Sequence, residues 1–186
     1  MSLQVAKHFF TVAEFERMGE AGIFSEDARL ELIEGEIVEI SPIGSRHAAC
    51  VKRLSRYLNR TIGDIALIST QDPIQLNDFT APQPDIALLQ LRDDFYESAH
   101  PKPQDVLLII EVADTTVDYD RLIKLPLYAK AGIPEVWIIN LPADRVEINA
   151  TPDNGAYKIA TEVRRGEQAQ AQTISSLSIP ADMILG

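Results

Sequence analysis

The feature that most constrains this fold is an apolar run near the middle of the chain, "DVLLIIEVAD" at residues 105–114. A run so continuously apolar predicts a central strand that is covered on both faces of a sheet. Glu111 nevertheless lies near its exit, and Asp85 opens a second apolar run, "PDIALL" at residues 84–89. A carboxylate in such a place needs a partner or a function, because burying an unpaired charge is costly.

The remaining patterns place helices and strands around that run. Thr11 and Glu14 have capping-box spacing, which predicts a helix from about Val12, and Glu34-Gly35 predicts the turn of a hairpin. Residues 46–62 and about 119–131 have helical periods, and Pro126 either kinks the second helix or marks the first turn of its main part. The other predicted strands are "IALISTQDPIQL", "PDIALLQL", "EVWIIN", "RVEINA" and "YKIATEV". The predicted order is α, hairpin, α, β, β, β, α, β and an antiparallel tail.

Length and composition favour one domain over residues 1–186, since 186 residues that are 46% hydrophobic can bury a core. The single cysteine, Cys50, excludes an internal disulfide. The N-terminal segment lacks the apolar stretch of a signal peptide, and no run is long enough to span a membrane. We therefore expect a cytoplasmic protein without a membrane partner.

The charge is strongly acidic overall but locally basic. A formal net charge of −11 argues against a general nucleic-acid coat protein, because such a chain repels polyanions at long range. Residues 46–60, "RHAACVKRLSRYLNR", hold five basic residues and no acidic one. Arg53, Arg56 and Arg60 are predicted to face away from the sheet, where they either steer a phosphate backbone or form a solvated face.

Asp85 and Glu111 form a candidate metal site. They are 26 positions apart, which suits the ends of adjacent strands joined by one loop. Mg²⁺ prefers oxygen ligands and commonly takes one or two carboxylates together with water and substrate phosphate. Spacing alone leaves an alternative open, in which Asp85 is a surface residue at a strand start and Glu111 a charge facing water.

Lys124 and His47 are predicted to face the sheet. Lys124 shares a helical face with Leu127, Tyr128 and Ala131, so its ammonium points toward the sheet or extends past the core edge to water. Asp118 and Asp120 are predicted to be first-turn helix acids, and Tyr119 and Trp137 to be packing groups. His47 lies on the apolar side of its helix, where a lone histidine is usually a core residue.

These segments together resemble the Uma-two (Uma2) family, restriction-endonuclease-like proteins of bacteria that are abundant in cyanobacteria. The resemblance is carried by "PQPDIALL", "LLIIEVADTT", "YDRLIKLPLYAKAGIPEVWIIN" and "ELIEGEIVEIS" followed by His47. It implies a PD-(D/E)XK core of the α+β class: a mixed β-sheet flanked by helices, with an extra N-terminal hairpin and C-terminal antiparallel strands.

The resemblance also implies roles for individual residues. Asp85 matches the PD aspartate and Glu111 the second acid, whereas Ala113 stands where the wider superfamily has its lysine. Lys124 matches a lysine that the Uma2 pattern carries on the following helix. Glu31 matches an acid of the first hairpin, and His47 matches a histidine. Ser41, Arg46 and Tyr128 are candidates for supporting these residues.

The mechanism that follows is hydrolysis of DNA phosphodiester bonds with Mg²⁺ or Mn²⁺. Asp85, Glu111 and the carbonyl of Val112 would hold the metal, with Lys124, Glu31 and His47 also in the catalytic set. The resemblance suggests a homodimer, and weak expected binding of free duplex suggests an unidentified partner protein. Two alternatives remain: a catalytically silent nuclease fold used for binding or assembly, and a metal-dependent enzyme acting on a small molecule.

Overall fold

The computed structural model describes residues 6–25, 27–40 and 42–186, so the candidate Ser41 lies outside the described residues. The helices are α1 Val12–Glu20, α2 Ser45–Thr61, α3 Val117–Tyr119, α4 Leu125–Ala131 and α5 Ala181–Leu185, with a π-helical segment, Asp120–Lys124, between α3 and α4. The strands are β1 Leu30–Ile33, β2 Glu36–Glu39, β3 Leu67–Ser69, β4 Ile86–Leu89, β5 Val106–Ala113, β6 Glu135–Asn140, β7 Arg145–Asp153, β8 Ala156–Arg164, β9 Gln168–Gln170 and β10 Ser178–Pro180.

Six strands form a mixed sheet in the order β3-β4-β5-β6-β7-β8. Neighbouring strands are antiparallel except β5 and β6, which run parallel. The exception follows from the connection between them, because parallel strands need a crossover and α3, the π-helical segment and α4 supply it. The predicted α+β architecture is therefore confirmed.

The sheet has a hydrophobic core on each face, as the apolar run of β5 predicted. One core contains Leu54 and Leu58 of α2 with Trp137, and it extends to α5. The other contains Ile109 and Tyr128 and lies under the crossover. Trp137 is fully buried, which confirms it as a packing residue. Around β4, β5 and β6, apolar side chains therefore fill both faces, and the polar side chains there lie near the strand ends.

The N-terminal hairpin of β1 and β2 forms a separate two-stranded sheet. Its two turn residues have positive φ, 49° at Glu34 and 81° at Gly35, as a tight two-residue hairpin turn requires. A bridge from Leu32 to Ala81 ties the hairpin to the segment before β4. This bridge fixes the neighbouring Glu31 close to the start of β4.

Some predicted elements differ from the structure. The strand predicted over "IALISTQDPIQL" is ordered as a strand only at Leu67–Ser69, because Gln71 adopts a left-handed conformation with φ of 59°. β9, β10 and α5 were not predicted, since three to five residues are too short to show a period. Pro126 lies in the first turn of α4, directly after the π-helical segment. It therefore marks the first turn of the main part of the predicted helix.

Glu147 on β7 joins the crossover to the sheet, and we predict that Glu147→Gln destabilises the fold in a pH-dependent way. Arg121 donates two hydrogen bonds to this carboxylate, and Asn140 and Arg145 donate at 3.0 and 2.9 Å. Burial opposes the charged form, but these donors lower the pKa of Glu147 from 4.5 to about 2. The stabilisation is therefore present above about pH 4.5 and lost as the pH falls through about 2.

At pH 7 the substitution is expected to lower the free energy of unfolding by about 1–3 kcal/mol. Urea unfolding at pH 7, 4 and 2.5 measures the difference, which should shrink as the pH falls. Glu20→Gln, at an exposed position, is the control. A difference that stays constant down to pH 2.5 would contradict the proposed role of the ionised carboxylate.

Candidate active site

A cavity of about 150 Å³ opens where β4 begins and β5 ends. Asp85, Glu111, His47 and Lys124 all line it, and Glu31 contacts it through Lys124. The five side chains predicted as catalytic come from five places in the sequence: β1, α2, the start of β4, β5 and the crossover. The structure therefore brings all five together at one edge of the sheet.

Asp85 is held by three donors. Its Oδ2 accepts hydrogen bonds from the Val112 backbone N–H at 2.9 Å and from His47 Nε2 at 2.9 Å. Its Oδ1 accepts one from Gln71 Nε2 at 3.2 Å. Although burial favours the neutral acid, the hydrogen bonds from His47, Val112 and Gln71 hold the pKa of Asp85 below its ordinary value. Asp85 is therefore an ionised carboxylate in a fixed orientation.

Glu111 and Glu31 share the ammonium of Lys124. Lys124 Nζ lies 3.1 Å from Glu111 Oε1 and 2.9 Å from Glu31 Oε1, and all three residues are buried. The Tyr128 hydroxyl donates to Glu111 Oε1 at 2.6 Å, so this candidate supporting residue contacts the predicted second acid directly. The second oxygen of Glu31 accepts from the Tyr119 hydroxyl at 3.2 Å. The predicted direction of Lys124 is thus confirmed, and its ammonium does not reach bulk water.

The two acids of the predicted metal site have different electrostatic environments. Burial raises the pKa of Glu111 to about 8, and the negative charges of Asp120 and Asp85 add to this effect, while Lys124 opposes it. Burial also disfavours the charged form of Lys124, yet Glu111, Glu31 and Asp120 raise its pKa above the ordinary range. The site therefore combines a carboxylate that ionises easily, Asp85, with one that holds its proton, Glu111.

Asp120 is a residue of this site that sequence reasoning missed. It was predicted to be a first-turn helix acid, but it is buried and lines the cavity, with Oδ2 accepting from the Thr116 hydroxyl at 2.9 Å. Burial raises its pKa to about 6. Tyr119, predicted to pack, instead hydrogen-bonds Glu31. The available signal was spacing, since Asp120 and Lys124 are four positions apart and so share a helical face.

The π-helical segment explains how a lysine on the crossover reaches the strand end. The N–H of Leu125 bonds to the carbonyl of Asp120, five residues earlier, so this turn holds one more residue than an α-helical turn. Asp120 and Lys124 are both buried at its two ends. Such wide turns are frequent at functional sites. Here the turn directs an acid and a cation into the same cavity.

The backbone beside Asp85 also suits a ligand role for Val112. The pairing of β4 with β5 ends at Ile86 opposite Ile110. The next donor in line would belong to Pro84, which has no N–H. In an antiparallel ladder, the N–H and C=O of one residue leave the same edge of a strand. The carbonyl of Val112 therefore has no ladder donor from β4 on the side where Asp85 lies.

These donors fit a hard divalent cation. Two carboxylates and a carbonyl are oxygen ligands, and Mg²⁺ is usually bound through one or two carboxylates with water completing its shell. Within 6–25, 27–40 and 42–186, no three His, Cys, Asp or Glu side chains are grouped so as to hold a metal by themselves. The fit is therefore to a site completed by water or substrate oxygens rather than to a full protein cage.

Comparisons with known proteins agree with this geometry. A crystal structure described as "a putative nuclease belonging to DUF820", from Anabaena variabilis ATCC 29413, matches with a TM-score of 0.71 and 16% sequence identity. The match covers 95% of this chain and 97% of that one, and at this identity it shows the fold alone. A search of curated proteins finds no match. No helix in the described part of the chain is long and apolar enough to cross a membrane.

A family model extends over nearly the whole sequence. The Uma2 model, described as "Putative restriction endonuclease", matches residues 12–182. The matched region contains every element from α1 to β10 and all of the side chains that line the cavity. The resemblance first visible in the short segments around Asp85, Glu111 and Lys124 is thereby confirmed, and this chain belongs to the Uma2 family.

Proposed function

We propose that this protein is an endonuclease that hydrolyses DNA phosphodiester bonds with Mg²⁺ or Mn²⁺. The observation that supports this best is the grouping of Asp85, Glu111 and Lys124 in one cavity at a sheet edge. Two acids and a cation at that place match the PD-(D/E)XK pattern, although Lys124 comes from the crossover. The family and the structural neighbour support a nuclease, and the metal and the DNA substrate belong to this proposal.

Asp85, Glu111 and the carbonyl of Val112 would hold the cation. When bound, the cation would acidify the attacking water and offset the charge that grows on the phosphoryl oxygens. His47 keeps Asp85 oriented through the contact at 2.9 Å, and Tyr128 does the same for Glu111. Because ligands bind metal in their deprotonated form, loading requires Glu111 to release its proton. We therefore expect metal affinity to rise as the pH approaches 8.

Lys124 would neutralise the charge that develops at the phosphate or orient the attacking water. Glu31 accepts from Lys124, from the Gln83 N–H at 2.8 Å and from Tyr119, so both of its oxygens have donors. Glu31 therefore positions Lys124 rather than supplying a second metal site. Asp120 adds a further negative charge that acts on the ammonium, and it favours a cation in this cavity.

The test is calorimetric titration of Mn²⁺ at pH 8 into the wild-type protein and Asp85→Ala/Glu111→Ala, with plasmid nicking measured on the same samples. We expect binding and nicking in the wild type and loss of both in the variant. Asp93→Ala/Glu97→Ala is the matched control, since it removes the same residue types from exposed positions. Circular dichroism confirms that each sample is folded.

A folded wild-type protein that binds no Mn²⁺ would rule out the metal nuclease. The alternative is then a nuclease fold retained for binding or assembly. One observation favours that alternative: Lys124 already binds both Glu31 and Glu111 without a metal. The homodimer, the partner protein, the single domain over 1–186 and the cytoplasmic location stay predictions from the sequence.

A further inference from the structure

The outer side of α2 carries a line of arginines. Arg46, Arg53 and Arg60 recur every seven residues, and seven residues are nearly two helical turns, so these side chains lie along one stripe. Arg56 lies within one turn of both Arg53 and Arg60 and widens the stripe. We call these four residues the arginine stripe. At 1.5 Å per residue, it extends for about 21 Å along the helix.

Most of the stripe lacks acidic partners, which is unusual in a chain with 28 acidic residues and 17 basic ones. Elsewhere, Arg121, Arg145 and Arg165 each contact a carboxylate within 3.0 Å. Among the residues that the structure describes, Arg56 and Arg60 form no ion pair and no side-chain hydrogen bond. Unpaired cations grouped on one face of an acidic protein indicate a surface for an anion.

A groove beside the stripe gives that anion a place to lie. The groove has a volume of about 490 Å³ and lies between α2 and α5, lined by Arg53, Arg56, Tyr57, Arg60, Thr61 and Met183. Arg53 Nη2 donates to the Ile184 carbonyl at 3.1 Å, while its Nε is buried without a hydrogen-bond partner. Arg53 is therefore fixed in place, with the exposed side chains of Arg56 and Arg60 beside it.

The stripe begins at the candidate active site. Arg46 Nη1 lies 3.7 Å from Asp114 Oδ1, and Asp114 lines the catalytic cavity. Arg46 Nη2 also donates to the Leu141 carbonyl at 2.8 Å, which fixes the side chain there. From this point the stripe leads away from the cavity to Arg60. Its length of about 21 Å equals about six steps of a nucleic-acid strand at 3.4 Å each.

We propose that the arginine stripe binds the phosphodiester backbone of a nucleic acid, on one side of the point where the strand is cut. The inference rests on the proposed function, because the stripe begins beside the cavity in which the proposed cleavage would take place. A backbone fits better than an isolated anion, since one anion would occupy only part of a line of this length. Contacts of this kind do not read sequence, so they would hold and orient any strand.

The experiment measures binding of a fluorescein-labelled 20-base-pair DNA duplex by anisotropy, without divalent metal, from 25 to 200 mM NaCl. Each phosphate contact contributes about −0.9 to the slope of log K against log[salt], so Arg56→Gln/Arg60→Gln should reduce the slope by roughly 1.8. At 0.1 M salt its affinity should fall by roughly tenfold to a hundredfold. Both side chains are exposed and unpaired, so the variant should fold normally.

Arg17→Gln/Lys102→Gln is the matched control, since it removes the same charge from exposed positions away from α2. It should keep the wild-type slope. Two results would overturn the inference: a stripe variant that binds duplex like this control, or a wild-type protein that binds no duplex. An acidic protein would then be the partner to test. Duplex binding with the expected change in slope but no nicking with Mn²⁺ would support the stripe and overturn the nuclease.

Discussion

Lys124→Met is expected to lower the free energy of unfolding by about 3–5 kcal/mol. The ammonium lies between Glu111 and Glu31, and all three side chains are almost fully buried. Methionine fills similar space but leaves the buried Glu31 carboxylate without its cation and Glu111 without one of its donors. Guanidinium unfolding at pH 7 measures the loss, and nicking should fall together with it if the ammonium has the catalytic role proposed above.

The control is Lys130→Met, whose ammonium is exposed and lies 3.6 Å from the exposed Glu34. An exposed pair of this kind contributes at most about 1 kcal/mol. The deficit of Lys124→Met should also grow as the pH rises above about 8, because Glu111 then ionises beside Lys124 in the wild-type protein and has no cation in the variant. A deficit that does not change with pH would mean that lost packing, rather than unpaired charge, destabilises the variant.

Glu111→Gln is expected to reduce nicking roughly 10³-fold, since a metal ion supplies several kcal/mol of transition-state stabilisation and each 1.36 kcal/mol is tenfold. The fold should nevertheless survive. Burial raises the pKa of Glu111 from 4.5 to about 8, so the folded state holds a proton that the unfolded state releases. The wild-type protein therefore loses stability as the pH rises between these values, and the variant does not.

Two measurements separate catalysis from stability in that variant. Nicking rates at pH 8 with Mn²⁺ report the loss of the metal ligand, and unfolding between pH 5 and 8 reports the loss of the proton. Glu36→Gln, at an exposed position in β2, should change neither. If Glu111→Gln nicks DNA at the wild-type rate, then Glu111 is not a metal ligand.

Periodicity predicted the parts of the fold that bury a regular stripe. In α2, Leu54 and Leu58 are fully buried as the helical period requires, and β5 is a central strand between two cores. The same reasoning placed Lys124 on the inner face of the crossover and His47 against the sheet. These predictions succeeded because each depends only on the direction of a side chain within one regular element.

The sequence did not reveal features that depend on irregular backbone. The spacing of Asp120 and Lys124 indicates a shared helical face, but no period in the sequence marks the π-helical turn at whose ends both are buried. Gln71 ends β3 early by turning left-handed, and its side chain then bonds to Asp85. Gln83 contributes a backbone N–H to Glu31, a role to which its side chain gives no clue. The contacts of Gln71 with Asp85 and of Gln83 with Glu31 join segments that are 14 and 52 positions apart in the sequence.

The parallel pairing of β5 with β6 has a mechanical consequence. Since these strands need a crossover, Lys124 belongs to a helical layer that lies over the sheet. Asp85 and Glu111 belong to the sheet itself. A shift of that layer would withdraw Lys124 and Tyr128 from Glu111 but leave the three donors to Asp85 in place. The two acids of this site are thus anchored differently: Asp85 by groups outside the crossover, and Glu111 by two groups that the crossover carries.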